Sequence, residues 1–392
     1  MVAALEKNGK TTKYMAIKRQ ILQMIREGKY KSGDKLPSEN ELAKIHGVSV
    51  ITSKKTLEEL AKDGSIYRIK GSGSFVAHPK QKKKPAQANR IAMVLPLGGN
   101  TGGGMELFSN VEMVARSHGY YVSVENTHRN CQKEREILQR LLKDNVKGIV
   151  YYPTFSSENF DLIKKFAMEK HAIVIIDKSI HDIGIDTVLS DNYRGSHEMT
   201  EYLIGRGHRN IIFACEDDID EVSSIRERFL GYCDALSEAN ISLDTDLAMH
   251  RKTVHEKGAE GNGVARFCRE VVEKVRNDKS ITAVQAASDV NAVELISQFA
   301  KKGINVPDDV SIAGFDDLDI ASCITPPLTT VKQNFGAIGR VATELVFKRI
   351  ADKDRKAEKV LIPVELVIRK SCRAIGGALA KRIRQRGAVA SR

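Results

Sequence analysis

The stretch Lys35-Leu36-Pro37-Ser38-Glu39-Asn40-Glu41-Leu42-Ala43-Lys44-Ile45-His46-Gly47-Val48-Ser49-Val50-Ile51-Thr52-Ser53-Lys54-Lys55-Thr56-Leu57-Glu58-Glu59-Leu60-Ala61-Lys62-Asp63-Gly64 reads as two short helices broken at Gly47. Ser38 and Glu41 have the S-x-x-E spacing of a capping box, in which each side chain satisfies a free N–H at the start of a helix. Leu42 and Ile45, three apart, give this helix an apolar face. Gly47 turns the chain, and Ser49 can cap a second helix that ends at Asp63-Gly64. In that helix Leu57, Leu60 and Ala61 point inward, leaving Thr52, Lys54, Lys55 and Glu59 outside. Two helices, a glycine turn and a basic, hydroxyl-bearing second helix describe a helix-turn-helix. A plain helical hairpin with a solvated charged face has the same spacing, so the flanking sequence decides.

On the N-terminal side, Tyr14, Ile17, Ile21, Leu22 and Ile25 recur at helical spacing up to Gly28, a helix able to pack over the other two. On the C-terminal side, Ser65-Ile66-Tyr67-Arg68-Ile69-Lys70 and Phe75-Val76-Ala77 flank Gly71-Ser72-Gly73-Ser74, which makes a β-hairpin. A hairpin directly after a helix-turn-helix is a wing. The alternative, a phosphate loop at Gly71-Ser72-Gly73, fails because no helix N-terminus follows it.

A chain of 392 residues with 29% charged and 42% apolar residues has the balance of a soluble protein of two or three domains. No apolar run approaches the ~18–20 residues that span a bilayer, and the first residues lack a signal-peptide core. A cytoplasmic protein is expected, with no membrane partner. The six cysteines (131, 215, 233, 268, 323 and 372) contain no C-x-x-C pair, which argues against a zinc site, a redox dithiol or a disulfide framework. Charge is segregated: residues 1–88 carry 19 Lys/Arg against 8 Asp/Glu, and residues 373–392 add six basic groups and no acidic ones. That leaves −5 of the total +12 on residues 89–372. A basic head on a mildly acidic body fits a nucleic-acid reader joined to a domain with another task.

Residues 14–77 resemble the GntR-type winged helix through Gly33-Asp34-Lys35-Leu36-Pro37-Ser38-Glu39, Glu41-Leu42-Ala43, Gly47-Val48-Ser49, Leu57 to Leu60 and Gly71-Ser72-Gly73-Ser74-Phe75-Val76. The resemblance implies that the second helix enters the major groove while the wing lies along the minor groove. It makes Ser38, Ser49, Val50, Thr52, Ser53, Lys54 and Lys55, with Lys70 and Ser72 on the wing, the DNA-binding candidates. The family usually places Arg after the serine matched by Ser49. Here Val50 offers apolar contact, for instance to a thymine methyl, instead of a fork to guanine.

Residues 79–88, basic and bounded by prolines, read as a linker, either attracted to phosphates or simply solvated. From Asn89 strands alternate with helices: strands at 91–95, 121–124, 148–152, 173–177, 210–214, 283–287 and 310–315, helices at 108–118, 132–143, 158–169, 192–205, 225–239 and 289–302. Apolar strands separated by helices indicate a parallel sheet covered on both faces. Two groups of about four strands are expected, four read in the first and three in the second, forming two lobes with a cleft at the strand C-termini.

The glycine-rich run from Gly98 to Gly104 has neither G-x-G-x-x-G nor Walker spacing, so it reads as a loop at the cleft mouth, not a nucleotide cradle. No Ser-His-Asp order, H-E-x-x-H helix or paired metal carboxylates stand out. No catalytic residue, metal site or cofactor is expected, and the chain is not expected to be an enzyme. His208 before a strand reads as a turn residue. Asp177, Arg228, Asp289, Asp316 and Asp317 sit where a cleft ligand could meet them, and carboxylates with an arginine suit a polyol whose hydroxyls donate and accept. Each alone could equally be an N-cap or a surface ion pair.

From Arg90 to about Ile350 the chain resembles the effector domain of LacI/GalR-type repressors, itself similar to periplasmic sugar-binding proteins. The matching residues are Gly207-His208-Arg209, Arg228-x-x-Gly231-Tyr232, Ser288-Asp289-x-x-Ala292, Val306-Pro307-Asp308-Asp309-Val310-Ser311-Ile312-x-Gly314-Phe315-Asp316-Asp317 and Pro326-Pro327-Leu328-Thr329-Thr330-Val331. The resemblance implies that Asp177, Arg228, Ser288, Asp289 and Asp316 line the cleft, with Gln333 at the crossover and the loop at Gly98 contributed by the first lobe. It implies lobes of about 89–191 with 335–362 and 192–334 with 363–372, within a sensing domain 89–372, after a DNA-binding domain 1–78. The family usually carries Asn where Ser288 stands, and its hinge helix is missing, since Lys80 to Ala88 cannot form one. The tail 373–392 reads as disordered, or as an auxiliary phosphate contact.

The expected fold is therefore α/β: an N-terminal winged helix-turn-helix plus a two-lobed, periplasmic-binding-protein-like parallel-sheet domain. The two resemblances together match arabinose-type regulators. They imply a homodimeric transcriptional repressor on a near-palindromic operator, released by a small-molecule effector such as arabinose or another monosaccharide. A nucleoside or other polyol as effector, and a GntR-headed enzyme, are the alternatives.

Overall fold

The computed structural model describes residues 13–69, 71–77, 89–97, 103–144, 146–155, 158–180, 183–250 and 263–375. The chain forms two units that divide between residues 88 and 89. The linker 79–88, Lys70, Gly98 and the tail beyond Ile375 lie outside the described residues.

The first unit holds α1 (Lys13–Arg26), α2 (Glu39–His46), α3 (Val50–Lys62), β1 (Ile66–Ile69) and β2 (Gly73–Val76). Its core gathers Ile17, Ile21, Leu36, Leu42, Leu57, Leu60, Ile66 and Val76, so every element contributes to it. β1 and β2 pair antiparallel from Ile66 opposite Val76 to Ile69 opposite Gly73, which is the wing. Helix α2 starts at a complete capping box and ends at Gly47, whose φ of +62° is left-handed and easily adopted without a Cβ. One expectation fails: Ile45 is 64% exposed, because the buried positions of α2 are Leu42 and Ala43.

The second unit continues with β3 (Arg90–Leu95), α4 (Gly104–Ser117), β4 (Tyr121–Asn126), α5 (Cys131–Lys143), β5 (Gly148–Tyr151), α6 (Phe160–Met168), β6 (Ile173–Ile176), β7 (Asp186–Ser190) and α7 (Asn192–Gly205). Then come β8 (Asn210–Cys215), α8 (Ser223–Glu238), β9 (Ala248–His250), α9 (Gly263–Asn277), β10 (Ile281–Ala286), α10 (Asp289–Lys301), β11 (Ser311–Ala313), α11 (Asp319–Cys323), β12 (Thr330–Lys332), α12 (Phe335–Ala351), β13 (Lys359–Ile362) and β14 (Glu365–Val367). Among the described residues the strands form a six-stranded parallel sheet, β13-β7-β6-β5-β3-β4, and a four-stranded parallel sheet, β11-β10-β8-β9. Strands β5 and β6 are buried at every residue, as sheets covered by helices on both faces require.

The sheets thus hold six and four strands rather than four and four. The two additional strands of the first sheet are β7 and β13. Asp186-Thr187-Val188-Leu189-Ser190 is polar at both ends, and the short β13 buries only its last residue, Ile362, so neither shows in the sequence the longer apolar run that marks an inner strand. What places them is tertiary. The Asp186 carboxylate is fully buried, accepting from Arg349 Nη2 at 2.8 Å, Arg355 Nη1 at 2.7 Å and the Glu358 N–H at 2.9 Å, which fastens β7 to α12 and to the approach of β13.

The chain passes between the sheets three times: from β7 into α7, from β12 into α12 and from β13 into β14. Strands β12 and β14 pair antiparallel beside these crossings.

Candidate functional site

In the first unit, Ser49 caps α3: its Oγ accepts the Thr52 N–H at 3.2 Å and lies 2.9 Å from Thr52 Oγ1. Ser38 does the same for α2, its hydroxyl donating to Glu41 Oε2 at 2.8 Å while accepting the Glu41 N–H at 3.3 Å. Val50, Lys54 and Lys55 are exposed, and the Lys55 ammonium sits 4.5 Å from the centroid of the Tyr14 ring on α1, a cation–π contact that steadies it. Ser72 is exposed in the wing turn. Ser53 is corrected: it is fully buried, on the stripe with Thr56, Leu57 and Leu60 that faces the core, and its hydroxyl has no partner among the described residues. A side chain there cannot touch DNA. Ile51, which the sequence reading passed over, is 80% exposed.

In the second unit a cavity of about 770 Å³ opens at the C-terminal ends of strands from both sheets. Asp177 follows β6, Tyr152 and Thr154 follow β5, His128 and Arg129 follow β4, Glu216 and Asp217 follow β8, and Ser288 follows β10; all line it, as do Arg228 and Ser224 of α8, Asp316 and Gln333.

Arg228 is its centre. Only 4% exposed, its guanidinium donates through Nε to Asn192 Oδ1 at 2.8 Å and through Nη1 to the Ala287 carbonyl. Its plane rests 3.7 Å from the Phe315 centroid, and Nη2 lies 3.6 Å from Asp316 Oδ1. Gln333 bridges the crossover, accepting from Ser190 Oγ at 2.5 Å and donating to Asp316 Oδ1 at 2.6 Å. Burial pushes the Asp316 carboxyl up to about 6, against the lowering effect of Arg228 and Gln333. Ser224 Oγ lies 3.5 Å from Asp177 Oδ2. The side chains converging on the space are therefore bonded to one another before any ligand arrives, which is preorganisation.

Of the sequence candidates, Asp177, Arg228, Ser288, Asp316 and Gln333 meet at this cavity. Asp289 does not. Its carboxylate is fully buried, accepting from Thr330 Oγ1 at 2.5 Å and the Leu318 N–H at 2.8 Å, and so it clamps β12 and the 316–318 loop. Burial, reinforced by Asp316, raises its carboxyl. Asp317 is likewise taken, by Arg369 at 2.6 Å.

The lining groups that the sequence reading missed include Lys178, Tyr152 and Arg129. Lys178 is 7% exposed, with Nζ donating to the Pro153 and Thr154 carbonyls at 2.8 and 2.5 Å; burial lowers its ammonium. Tyr152 is raised well above the usual phenol by burial and then by Asp177. Arg129 reaches across the cavity from the first sheet's side to Asp217 on the second's, 3.6 Å away. A signal exists for Arg129 in the backbone rather than the sequence: His128, Arg129, Asp177 and Asp316, all lining residues, have positive φ without being glycine.

Comparison with known proteins gives two family matches: residues 13–76 to the bacterial regulatory proteins of the gntR family, and residues 200–372 to the periplasmic binding protein-like domain. The chain is 28% identical to the arabinose metabolism transcriptional repressor of Geobacillus stearothermophilus, over 93% of this chain and 98% of that one. It is 31% identical to the HTH-type transcriptional repressor PurR of Histophilus somni, over 69% of this chain and 78% of that one. A LacI family transcriptional regulator from Enterococcus faecium with bound ribose superposes with a TM-score of 0.61 at 21% identity, over 73% of this chain and all of that one, and shares the fold. These relatives are transcriptional regulators, not enzymes. No helix among the described residues is long and apolar enough to cross a membrane. A DNA-binding head of one kind and a ligand cavity of another therefore meet in one chain, which belongs to the LacI/PurR-type transcriptional repressors modulated by a small molecule, with a GntR-type head in place of their own.

Proposed function

We propose that the effector is a neutral polyhydroxylated molecule, a monosaccharide such as arabinose, and that its binding releases a homodimer from a near-palindromic operator. The observation that carries this is the charge balance of the cavity. Arg228 faces Asp316, Arg129 faces Asp217, and Lys178 lies beside Asp177, so among the described lining residues each Lys and Arg already has a carboxylate beside it and none is left over for an anionic ligand. What the wall offers is paired donors and acceptors, Arg228, Asp177, Asp316, Gln333, Ser224 and Ser288, which is the inventory that hydroxyls use. Similarity to the arabinose repressor over nearly the full chain supports the same reading.

In this reading, lobes of about 89–191 with 335–362 and 192–334 with 363–372 close on the ligand in the cytoplasm. Two heads, each spanning residues 1–78 and presenting Ser38, Ser49, Val50, Thr52, Lys54, Lys55 and Ser72 to DNA, then lose the half-site spacing that a palindrome demands. A nucleoside or purine base is the second reading, favoured by the relatives named PurR and by Tyr152 and Phe335 on the wall, on which a base can stack.

A thermal-shift panel of pentoses, hexoses, nucleosides and purine bases separates the two. At ~100 times its dissociation constant an effector adds about 2.7 kcal/mol to the unit that binds it. A shift with a sugar and none with bases is expected; a shift with bases alone replaces the sugar by the second reading.

A further inference from the structure

The first turn of α3 carries more than Val50. Taken at 100° per residue, the buried positions Ser53, Thr56, Leu57 and Leu60 form one stripe, and Ile51 falls opposite its middle, in line with Lys55 and Glu58. Ile51 is 80% exposed and Val50, one position earlier, 44%. Neither belongs to the core of the head. An isolated exposed isoleucine needs no explanation. Two exposed apolar residues in the first turn of the helix, Ile51 on its outer face and Val50 100° round at the edge of the buried stripe, with Ser49, Lys54 and Lys55 nearby, do.

The polar groups of that turn leave little to read bases with. The Ser49 and Thr52 hydroxyls lie 2.9 Å apart, and Ser49 already accepts the Thr52 N–H. Ser53 is buried. Lys54 and Lys55 supply positive charge, which holds phosphates at any sequence. In the major groove the feature complementary to an apolar side chain is the C5-methyl of thymine.

We propose that Ile51, with Val50, determines operator specificity by packing against thymine C5-methyl groups, so that each half-site carries thymines where α3 enters the groove. This rests on the head reading DNA through α3.

The test starts from operator duplexes selected from random DNA by the full-length protein. Each thymine of the selected half-site is then replaced by deoxyuridine, which removes a methyl and nothing else. Burial of one methyl corresponds to about fourfold in affinity. A roughly fourfold loss is expected at one or two positions per half-site, and the loss should vanish at one of them in Ile51→Ala, while the salt dependence of that variant stays that of the wild type. Because Ile51 is exposed, the substitution leaves the core of the head untouched, and the uridine series on the unaltered protein does not depend on any variant folding. Deoxyuridine tolerated throughout a selected operator overturns the apolar readout while leaving DNA binding intact. Failure to select any operator removes the DNA reading and this proposal together.

Discussion

The motif Arg228-x-x-Gly231-Tyr232 joins packing to ligand binding, and Gly231→Ala tests the joint. A Cβ at Gly231 would lie 2.2 Å from the Tyr193 carbonyl oxygen and 3.0 Å from the His197 nitrogen, both backbone atoms of α7. Ordinary contact begins at 3.4 Å, so α7 and α8 must part by about 1 Å, and neither atom belongs to a side chain that could swing away. Helix α8 cannot simply roll, since Tyr232 Oη donates to the Ile211 carbonyl at 2.8 Å and holds it to β8. Overpacking of this kind costs ~1–3 kcal/mol. The same displacement acts on the site one turn away. Arg228 donates to Asn192, the neighbour of Tyr193, across 2.8 Å, and opening that gap by about 1 Å breaks a hydrogen bond from a charged group, worth ~1.5–3 kcal/mol. The variant should unfold several degrees lower and bind its effector ~10-fold more weakly or worse. Thermal unfolding, followed by calorimetric titration with whichever compound raises the wild-type midpoint, measures both. A variant with the wild-type midpoint and affinity would refute the argument that this glycine sets the spacing of the two helices and, through it, the seat of Arg228.

Further outcomes can be read with the same protein. Asp186→Ala leaves Arg349, only 8% exposed, without its carboxylate, and should cost about 3–5 kcal/mol in the second unit, seen as a lowered midpoint for that unit. Asp316, with a pKa of about 6 against an ordinary 3.8, binds a proton in the folded state that the unfolded chain has already released; that contribution favours folding at acid pH and is lost as pH rises through 6. Asp316→Asn should therefore gain midpoint on the wild type between pH 5 and pH 7, and a constant difference would contradict the shift. Loss of Lys54 or Lys55 should weaken binding to all DNA sequences and reduce the slope of affinity against salt by about one unit each, checked by titrations at several salt concentrations. Arg129→Ala opens an ion pair at the cavity rim, more than half exposed on the arginine side, so its effect on effector affinity should be small, within ~1 kcal/mol.

Local rules carried the head. The S-x-x-E box at Ser38 and Glu41, the glycine at 47 and the hairpin glycines at 71 and 73 each act over a few residues, and the structure shows each acting as read. They stop short where a helix has two partners or none. Ile45 has helical spacing from Leu42 but no neighbour to pack on, and Ser53 lies on the core stripe although its side chain is polar. In the second unit the strands with unbroken apolar runs were legible and those held by distant charges were not, β7 foremost. Among the cavity residues, Asp316 follows from a strand end and Arg228 from its place on the helix that begins near Ser224. Asp289 follows a strand in the same way but spends both oxygens on Thr330 and Leu318, a choice made by residues 41 and 29 positions away. Lys178 gave no sign at all, because burial of a lysine against two carbonyls depends on a loop that the sequence does not describe.

The three crossings between the sheets bear on how the chain is made. The first sheet is begun by β3 to β7, but its outermost strand, β13, enters only at Lys359, after the whole of the second sheet has been synthesised. Until then β7 presents an open edge of unpaired backbone groups, and the Asp186 carboxylate waits for Arg349 and Arg355. During translation the second sheet can close on itself while the first stays unsealed. The chain is therefore most exposed to edge-to-edge association late in its synthesis, and any product truncated before β13 keeps that liability permanently.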